Sequence, residues 1–269
     1  MDMARTIDVH DEPLLVHALR YFPDGDIKPA TDFIQKESLL KIRIDGTLFM
    51  QLVCSPNRLP ELVVGRLFSE GIISDIKDVN QVIIKQSPLE ADVRLERPYI
   101  RSGHEASKTT PTFSSTNVLM DEAAFSGGNS LQRVTPIHWD PAWIFNVAEV
   151  FGMDRTAHRV TRGAHSTYLA TPDAMVCCCE DIGRHNAFDK VIGYAMMHDV
   201  DLSGCLVFLS GRVPVDMIVK AVGARVPIVV SKAVPTDKAI NIARRCDMTL
   251  ICSATSKSMD VLNDPLRVK

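Results

Sequence analysis

From residue 174 onward the chain alternates short apolar runs with amphipathic stretches. AMVCCCEDI is followed by a helical segment, then CLVFLSG, VDMIVKAVGARV, PIVVSK, DKAINIARRCD and MTLICSA. Runs of Val, Ile, Leu and Phe with no polar residue between them cannot make a strand with one wet face, so they need cover on both faces. The stretches between them carry apolar residues at helical spacing. This is clearest over 187–198, where Phe188, Val191, Ile192, Ala195 and Met196 form one stripe. Strands and helices joined by short connections predict βαβ units on a largely parallel sheet, an α/β class. HRVTRGAHSTYLAT, just upstream, reads as a further strand.

The first hundred residues follow a different rule. SLLKIRIDGTLFMQLV, residues 38–53, alternates apolar and polar positions around Asp45-Gly46, a hairpin signal. After Pro60, Leu62, Val63, Arg66, Leu67 and Glu70 fall at helical spacing, with Gly71 as the stop. VNQVIIKQ and ADVRLERPYI read as more strands. The expected organisation is a small α+β N-terminal domain over 1–106, a Ser/Thr/Gly-rich loop region over 107–130, and an α/β domain over 131–269.

At 269 residues there is enough chain for these units to have cores of their own. A net charge of −3 argues against a nucleic-acid partner for the chain as a whole. The N-terminus lacks a basic region leading into an apolar run, and no apolar stretch of about 18 residues occurs, so neither secretion nor a membrane span is expected. A cytoplasmic location follows. There, seven cysteines, three of them adjacent, do not read as a disulfide framework.

The polar residues cluster where the predicted strands end. Asp181-Ile-Gly183-Arg184-His185-Asn186 follows one strand and Ser210-Gly211-Arg212 the next; Ser231-Lys232 with Pro235-Thr236 and Cys252-Ser253-Ala254-Thr255 follow the others. In an open α/β sheet such ends share one edge, where ligands bind. Gly183 and Gly211 admit a ligand close to the backbone, and the helix starts beside them offer free N–H groups. Arg184 and Arg212 carry forked donors that match phosphate or carboxylate. A phosphorylated, nucleotide-like ligand is the expectation. Taken singly, each piece has a plainer reading: Ser-Gly-Arg as a turn, Asp181 as a helix cap, His185 as a surface histidine, Lys220 as a solvated helix residue.

In a strand, Cys177 and Cys179 point one way and Cys178 the other, each serving as a small hydrophobe. No C-x-x-C pair is present, so no protein-ligated metal is expected. A P-loop and a dinucleotide-binding glycine fingerprint are also missing, which weakens the reading as an unrelated nucleotide-dependent enzyme.

At EDIGRHNAFDKVIG the chain resembles the FdhD/NarQ family of formate dehydrogenase accessory proteins. SPNRLPELVVGRLFSEGII is similar to the family's N-terminal segment, through Pro56, Glu61, Leu62, Gly65 and Glu70 to Ile73. VTRGAHS resembles its Gly-Gly-x-His loop, with Gly163 and His165 kept and Arg162 in place of the first glycine. SGRVPVDMIVKAVGARVPIVVSKAVPT keeps Ser210, Gly211, Arg212, Lys220, Pro227, Ser231, Pro235 and Thr236, and MTLI keeps Thr249 and Leu250.

The resemblance implies a cytidine-deaminase-like fold for the C-terminal domain, a homodimer, and binding of the molybdenum cofactor in its bis-molybdopterin guanine dinucleotide form. It also implies sulfur transfer from a cysteine desulfurase to that cofactor before insertion into formate dehydrogenase. Joined to the strand-end reading, it makes His165, Asp181, Gly183, Arg184, His185, Asn186, Ser210, Gly211, Arg212, Lys220, Ser231 and Thr236 candidate cofactor-binding residues. The last strand and its end add Leu250, Ile251, Cys252, Ser253, Ala254 and Thr255.

Two departures matter. The family's sulfur-carrying cysteines lie in a Ser-Ser-Cys-Gly-x-Cys-Gly loop, but FSSTNVLM puts Thr116 and Leu119 at those positions. The family's glycine-aromatic-x-arginine after the last strand is replaced by CSATS. A hydroxyl cannot form a persulfide, and leucine has no nucleophile. Two readings therefore stand: a sulfur carrier that uses another thiol, with Cys177, Cys178 and Cys179 as substitutes, or a non-catalytic member that holds or delivers the cofactor.

Overall fold

The computed structural model of the chain describes residues 13–99, 108–112, 132–153 and 160–267. Asp45 and Gly46 both take positive φ, 49° and 81°. A two-residue turn of this kind matches the right-handed twist of the strands it joins. Those strands are β3, Ser38–Ile44, and β4, Thr47–Cys54; before them come β1, Leu14–Tyr21, and β2, Ile27–Ile34, which among the described residues pair only with each other. Helix α1, Leu59–Ser69, follows. It stops at Gly71 (φ 71°), where Gly71 N–H donates to Phe68 O and Ile72 N–H to Leu67 O, satisfying the last carbonyls.

Strands β5, Val79–Gln86, β6, Leu89–Leu95, and β7, Lys108–Thr112, complete a five-stranded sheet ordered β5-β6-β3-β4-β7. Residues 108–112 thus add an edge strand to the first sheet, where the absence of any sequence period predicted a loop. Pro111 is tolerated there because an edge strand keeps one side of its ladder free. Leu40, Ile42, Leu52, Leu62, Val63, Leu67 and Val93 close a core between this sheet and α1.

The second sheet is ordered β13-β12-β11-β10-β8-β9. Its strands are β8, His165–Ala170; β9, Met175–Asp181; β10, Leu206–Leu209; β11, Ile228–Ser231; β12, Thr249–Cys252; and β13, Asp260–Asn263. Only β10, β11 and β12 run parallel to one another; β8, β9 and β13 are antiparallel to their neighbours. The sheet is therefore mixed and not largely parallel. β8 and β9 form a hairpin across residues 171–174, a connection too short for the crossover that a parallel pair requires.

Helices α3, Arg184–Met197, α4, Val215–Gly223, and α5, Asp237–Arg245, cover one face of this sheet, through Phe188, Val191, Met217, Ile218 and Ala243. Helix α2, Pro141–Met153, covers the other, setting Trp143, Ile144, Val147 and Phe151 against Tyr168, Phe208 and Val230. This helix and the β1–β2 ribbon are elements the sequence patterns did not bring out. The architecture is three-layered, helix on sheet on helix. No described helix is long and apolar enough to cross a membrane.

The two sheets are joined through α1 and α3. A Cβ on Gly65 would lie 1.8 Å from the Asp189 carbonyl oxygen, and one on Gly193 1.9 Å from that of Glu61. The helices therefore cross backbone to backbone, and only glycine fits at the crossing. Phe68 and Met196 pack against both cores.

Candidate functional site

Because β8 is antiparallel to β10 and β9 to β8, the start of β8 and the ends of β9, β10, β11 and β12 meet on one edge. Small hydroxyls stitch this edge together. Ser210 Oγ accepts from the Ser166 N–H at 2.9 Å, and Ser210 N–H donates to Ser166 O at 3.0 Å. Ser231 Oγ donates to Gly211 O at 2.8 Å and accepts from Ala233 N–H at 3.0 Å. A Cβ on Gly211 would sit 3.0 Å from His165 Nδ1 and 3.7 Å from Arg184 Cδ, so three strand ends converge on that glycine. After β12, Ser253 takes positive φ and its N–H donates to Ala233 O, while Ala254 N–H donates to Ser231 O.

The helix starts at this edge are not alike. Neither α3, with Gly183 at its N-cap, nor α4, with Pro214, has a side-chain cap. The first N–H groups of α3 leave the positive end of that helix to an anion, whereas at α4 the Asp216 carboxylate already accepts from the Met217 N–H at 3.0 Å. Thr236, by contrast, caps α5, its Oγ1 accepting from Ala239 N–H at 3.2 Å. Its hydroxyl is spent on structure.

Arg184, half-buried, opens α3, and its buried Nε has no hydrogen-bond partner among the described residues. A buried donor left unmade is costly, and an anionic acceptor would satisfy it. Arg212 extends into solvent. His185 is buried instead of lying on the surface, with Nε2 2.6 Å from Asp216 Oδ2. Burial would raise the Asp216 carboxyl, but the His185 bond and charge and nearby Lys220 hold it below the usual range. Asp216 is a site residue that the sequence patterns missed. Its only signal was its place in the first turn after Ser-Gly-Arg.

Three expected cofactor-binding side chains face inward. Asp181 Oδ1 accepts from Gly183 N–H and Asn186 Nδ2, each at 2.9 Å, and its Oδ2 accepts from Ser55 N–H at 3.1 Å and Lys190 Nζ at 2.7 Å. Asn186 Nδ2 also donates to Val53 O, and its Oδ1 accepts from Arg66. Lys220 is buried against Asp189, with Nζ–Oδ distances of 2.7 and 2.9 Å, and is not the solvated helix residue that its mid-helix position suggested. These three residues clamp the two sheets together beneath the edge. The buried Arg66, Asp189 and Lys190 complete the clamp, which helical periodicity alone does not reveal because charged positions read as solvent-facing.

A scan of the chain against family models matches the FdhD/NarQ family over residues 35–269. The chain belongs to the FdhD/NarQ family. Proteins named sulfur carrier protein FdhD are among its relatives. The one from Shouchella clausii is 29% identical, over 92% of this chain and 94% of its own. That from Bacillus subtilis is 27% identical, over 97% and 100%. A crystal structure from Desulfotalea psychrophila, named as a formate dehydrogenase accessory protein, shares the fold with a TM-score of 0.73 at 19% identity, covering 96% of this chain and all of that one.

Against the sulfur-carrier name of these FdhD relatives, the thiols of this chain stand as follows. Thr116 and Leu119 lie outside the described residues. Of the seven cysteines, six are buried, and Cys178 is half-buried on the α2 side of the sheet. Cys177 and Cys179 lie in the core under α3. The Cys177 thiol is raised by its hydrogen bond to Cys179 and by burial. Cys179 is lowered by that same bond, with the Arg58 and Lys190 charges assisting against burial. Burial pushes Cys205 up to about 11 and Cys252 to about 12. Among the described residues, no cluster of three or more His, Cys, Asp or Glu side chains could hold a metal ion.

Proposed function

We propose that the chain binds the molybdenum cofactor, in its bis-molybdopterin guanine dinucleotide form, at the strand-end edge, and serves its sulfuration and delivery to formate dehydrogenase in the cytoplasm. The observation that carries this reading is the buried, unsatisfied Nε of Arg184 beside Gly211, where a side chain would crowd His165, next to two helix starts without side-chain caps. Such donors fit diphosphate oxygens. Arg184 and Arg212 would hold phosphate. The backbone near Gly183 and Gly211 would admit the ligand closely, and Ser210 and His165 would line the approach, with the buried Ser231 bracing Gly211 O from beneath. The His185–Asp216 pair would keep the α4 start in place. When bound, the cofactor supplies the metal centre that receives sulfur; this chain's own residues supply binding and orientation.

The finer reading includes a cysteine desulfurase as sulfur source, a homodimer, and a cytidine-deaminase-like fold for the C-terminal half, which the three-layer arrangement supports. A second reading is favoured by the thiols. With Thr116 and Leu119 at the family's cysteine positions and six of the seven cysteines buried, the chain holds or delivers the cofactor without carrying sulfur itself.

Titration calorimetry with GDP, as a fragment of the cofactor, tests the binding edge. Arg184→Ala should lose about 1.5–3 kcal/mol, roughly 10- to 150-fold in affinity, if the guanidinium meets a desolvated phosphate. GDP binding equal to wild type would rule out the edge for that residue.

A further inference from the structure

β9 is the outermost strand of the second sheet, and it carries three consecutive cysteines that cofactor binding at the strand-end edge does not use. Cys177 and Cys179 are two residues apart and point to the same face, under α3, while Cys178 points to the α2 side. The pairing with β8 agrees: Cys177 lies opposite Leu169 of the α3-side core, and Cys178 opposite Tyr168 of the α2-side core. The register from Cys177 to Cys179 is unbroken, so no bulge turns one of the pair away. Their thiols meet in a hydrogen bond. Two strand steps of about 3.3 Å set the Cα atoms about 6.6 Å apart, inside the range of about 4.4–6.8 Å that a disulfide spans.

Charge gathers around the pair. Arg58 stands at the N-cap of α1 in the left-handed region, φ 46°, with its guanidinium 5.5 Å from the centre of the Tyr194 ring and 3.5 Å from Glu61 Oε1. Its charge reaches both thiols, and that of Lys190 reaches Cys179. The bond from Cys177, with these charges assisting, holds the Cys179 thiol below its usual range against burial. One sulfur is thus poised as a thiolate, and a protonated thiol is already in contact with it. That is what an attacking and a resolving cysteine require.

We propose that Cys177 and Cys179 form a modification site, a dithiol that a small hydroperoxide oxidises reversibly to a disulfide within β9. The Cys179 sulfur attacks the O–O bond of hydrogen peroxide, becomes a sulfenic acid, and releases hydroxide, which takes up the proton that Cys179 gave up. The Cys177 sulfur then attacks the Cys179 sulfur; its proton leaves with the hydroxyl as a second water, and the S–S bond forms. Two thiols lose two electrons and two protons, and one peroxide becomes two waters. Cys179 is 1% exposed and Cys177 8%, so the oxidant arrives past Arg58, whose side chain is 40% exposed. That route favours peroxide over a bulky disulfide. A bond near the upper end of the Cα span is strained and readily reduced, which makes the change reversible. Lys190 also holds Asp181, which accepts from Gly183 N–H, so the pair is linked to the start of α3. The proposal does not depend on cofactor binding.

Peptide mass spectrometry on the full chain tests this, with hydrogen peroxide as the probe and neither desulfurase nor added sulfur present. Trypsin releases residues 163–184 as one peptide, which holds all three cysteines of the triplet. After brief peroxide treatment, denaturation and blocking with iodoacetamide, that peptide should carry one alkyl group, on Cys178, and be two hydrogens lighter. Dithiothreitol before blocking should restore three alkyl groups. Cys178→Ser should still form the bond. Arg58→Met should slow its formation roughly tenfold, because an opposite charge nearby favours the thiolate by about one pKa unit or more. Three alkyl groups after peroxide, or a bond that includes Cys178, would overturn the proposal. So would sulfinic acid on Cys179 beside a free Cys177, since Cys177 would then not resolve the first product. The deciding readout is on the wild-type chain, so a variant that misfolds leaves the answer intact.

Discussion

Lys220 Nζ sits 2.7 Å from Asp189 Oδ1, inside the contact between the two halves of the molecule, and both side chains are excluded from water. Asp189 also receives Arg66 Nε at 2.9 Å and Ser69 Oγ at 2.7 Å. With Glu70 3.6 Å from Arg66, the cluster holds two cations and two anions. The clamp is thus balanced, and its members are not interchangeable.

Removing the shared anion should cost more than removing one cation. Asp189→Ala strands Lys220, leaves Arg66 with only Glu70 and Asn186 of these partners, and should lose about 3–5 kcal/mol, the penalty for an uncompensated buried charge. Lys220→Met leaves Asp189 with Arg66 and Ser69 and should lose clearly less. Urea denaturation of both variants checks the order. Equal losses would show that Asp189 is not the hub.

The clamp should also be visible in pH dependence. Desolvation, with the Arg66 charge assisting, lowers Lys220 from 10.5 to about 8 against the pull of Asp189. Between about pH 8 and 10.5 the unfolded chain binds the proton and the folded chain does not, so this group's contribution to stability rises with pH across that window. The buried cysteines act in the opposite direction, since Cys205 and Cys252 hold their protons longer when folded. The comparison must therefore isolate the lysine. The stability of wild type minus that of Lys220→Met should grow by roughly 3 kcal/mol from pH 8 to 10.5. A flat difference in urea midpoints would refute it.

Glycine substitutions should separate the helix crossing from ordinary helix positions. Gly65→Ala or Gly193→Ala forces a methyl to within 2 Å of a backbone oxygen, so α1 and α3 must part, at a cost of about 3 kcal/mol or more. Gly152, in α2, has nothing within 4 Å of its missing Cβ. Gly152→Ala should raise stability by about 0.5–1 kcal/mol through helix propensity. Thermal melts of the three variants are sufficient.

Thiol chemistry should follow burial. In a short iodoacetamide pulse on the native protein, Cys178 should label before Cys205 and Cys252, whose thiols stay protonated. Incubation with a cysteine desulfurase and cysteine should leave the wild-type 109–133 peptide free of persulfide. Thr116→Cys/Leu119→Cys should gain it, as read by mass spectrometry. Persulfide on Cys177 or Cys179 of the wild type would instead favour the sulfur-carrier reading through the triplet.

Much of this molecule was legible in the order of its residues. Asp45-Gly46 placed the β3–β4 hairpin, and Gly71 ended α1, because each demand is local: a positive φ that few residues adopt. The apolar runs marked β10, β11 and β12 with their helices, since burial on both faces leaves no polar alternation. The strand-end cluster of Gly183, Arg184, Ser210, Gly211 and Ser231 followed from that alternation, because chain direction alone puts the ends of parallel strands on one edge.

Tertiary structure decided the rest. The short connections 171–174 and 253–259 make β9 and β13 antiparallel to the strands before them, but the pairing of β8 with β10, across β9 and α3, had no local signature. Whether Asp181, Asn186 and Lys220 reach a ligand or hold two sheets together depends on what packs against them. Only the contact of α1 with α3, set by Gly65 and Gly193, turned those side chains inward. A charged residue on a helix reads as solvent-facing until another helix arrives carrying the opposite charge. Distance in space, not in sequence, made that pairing possible.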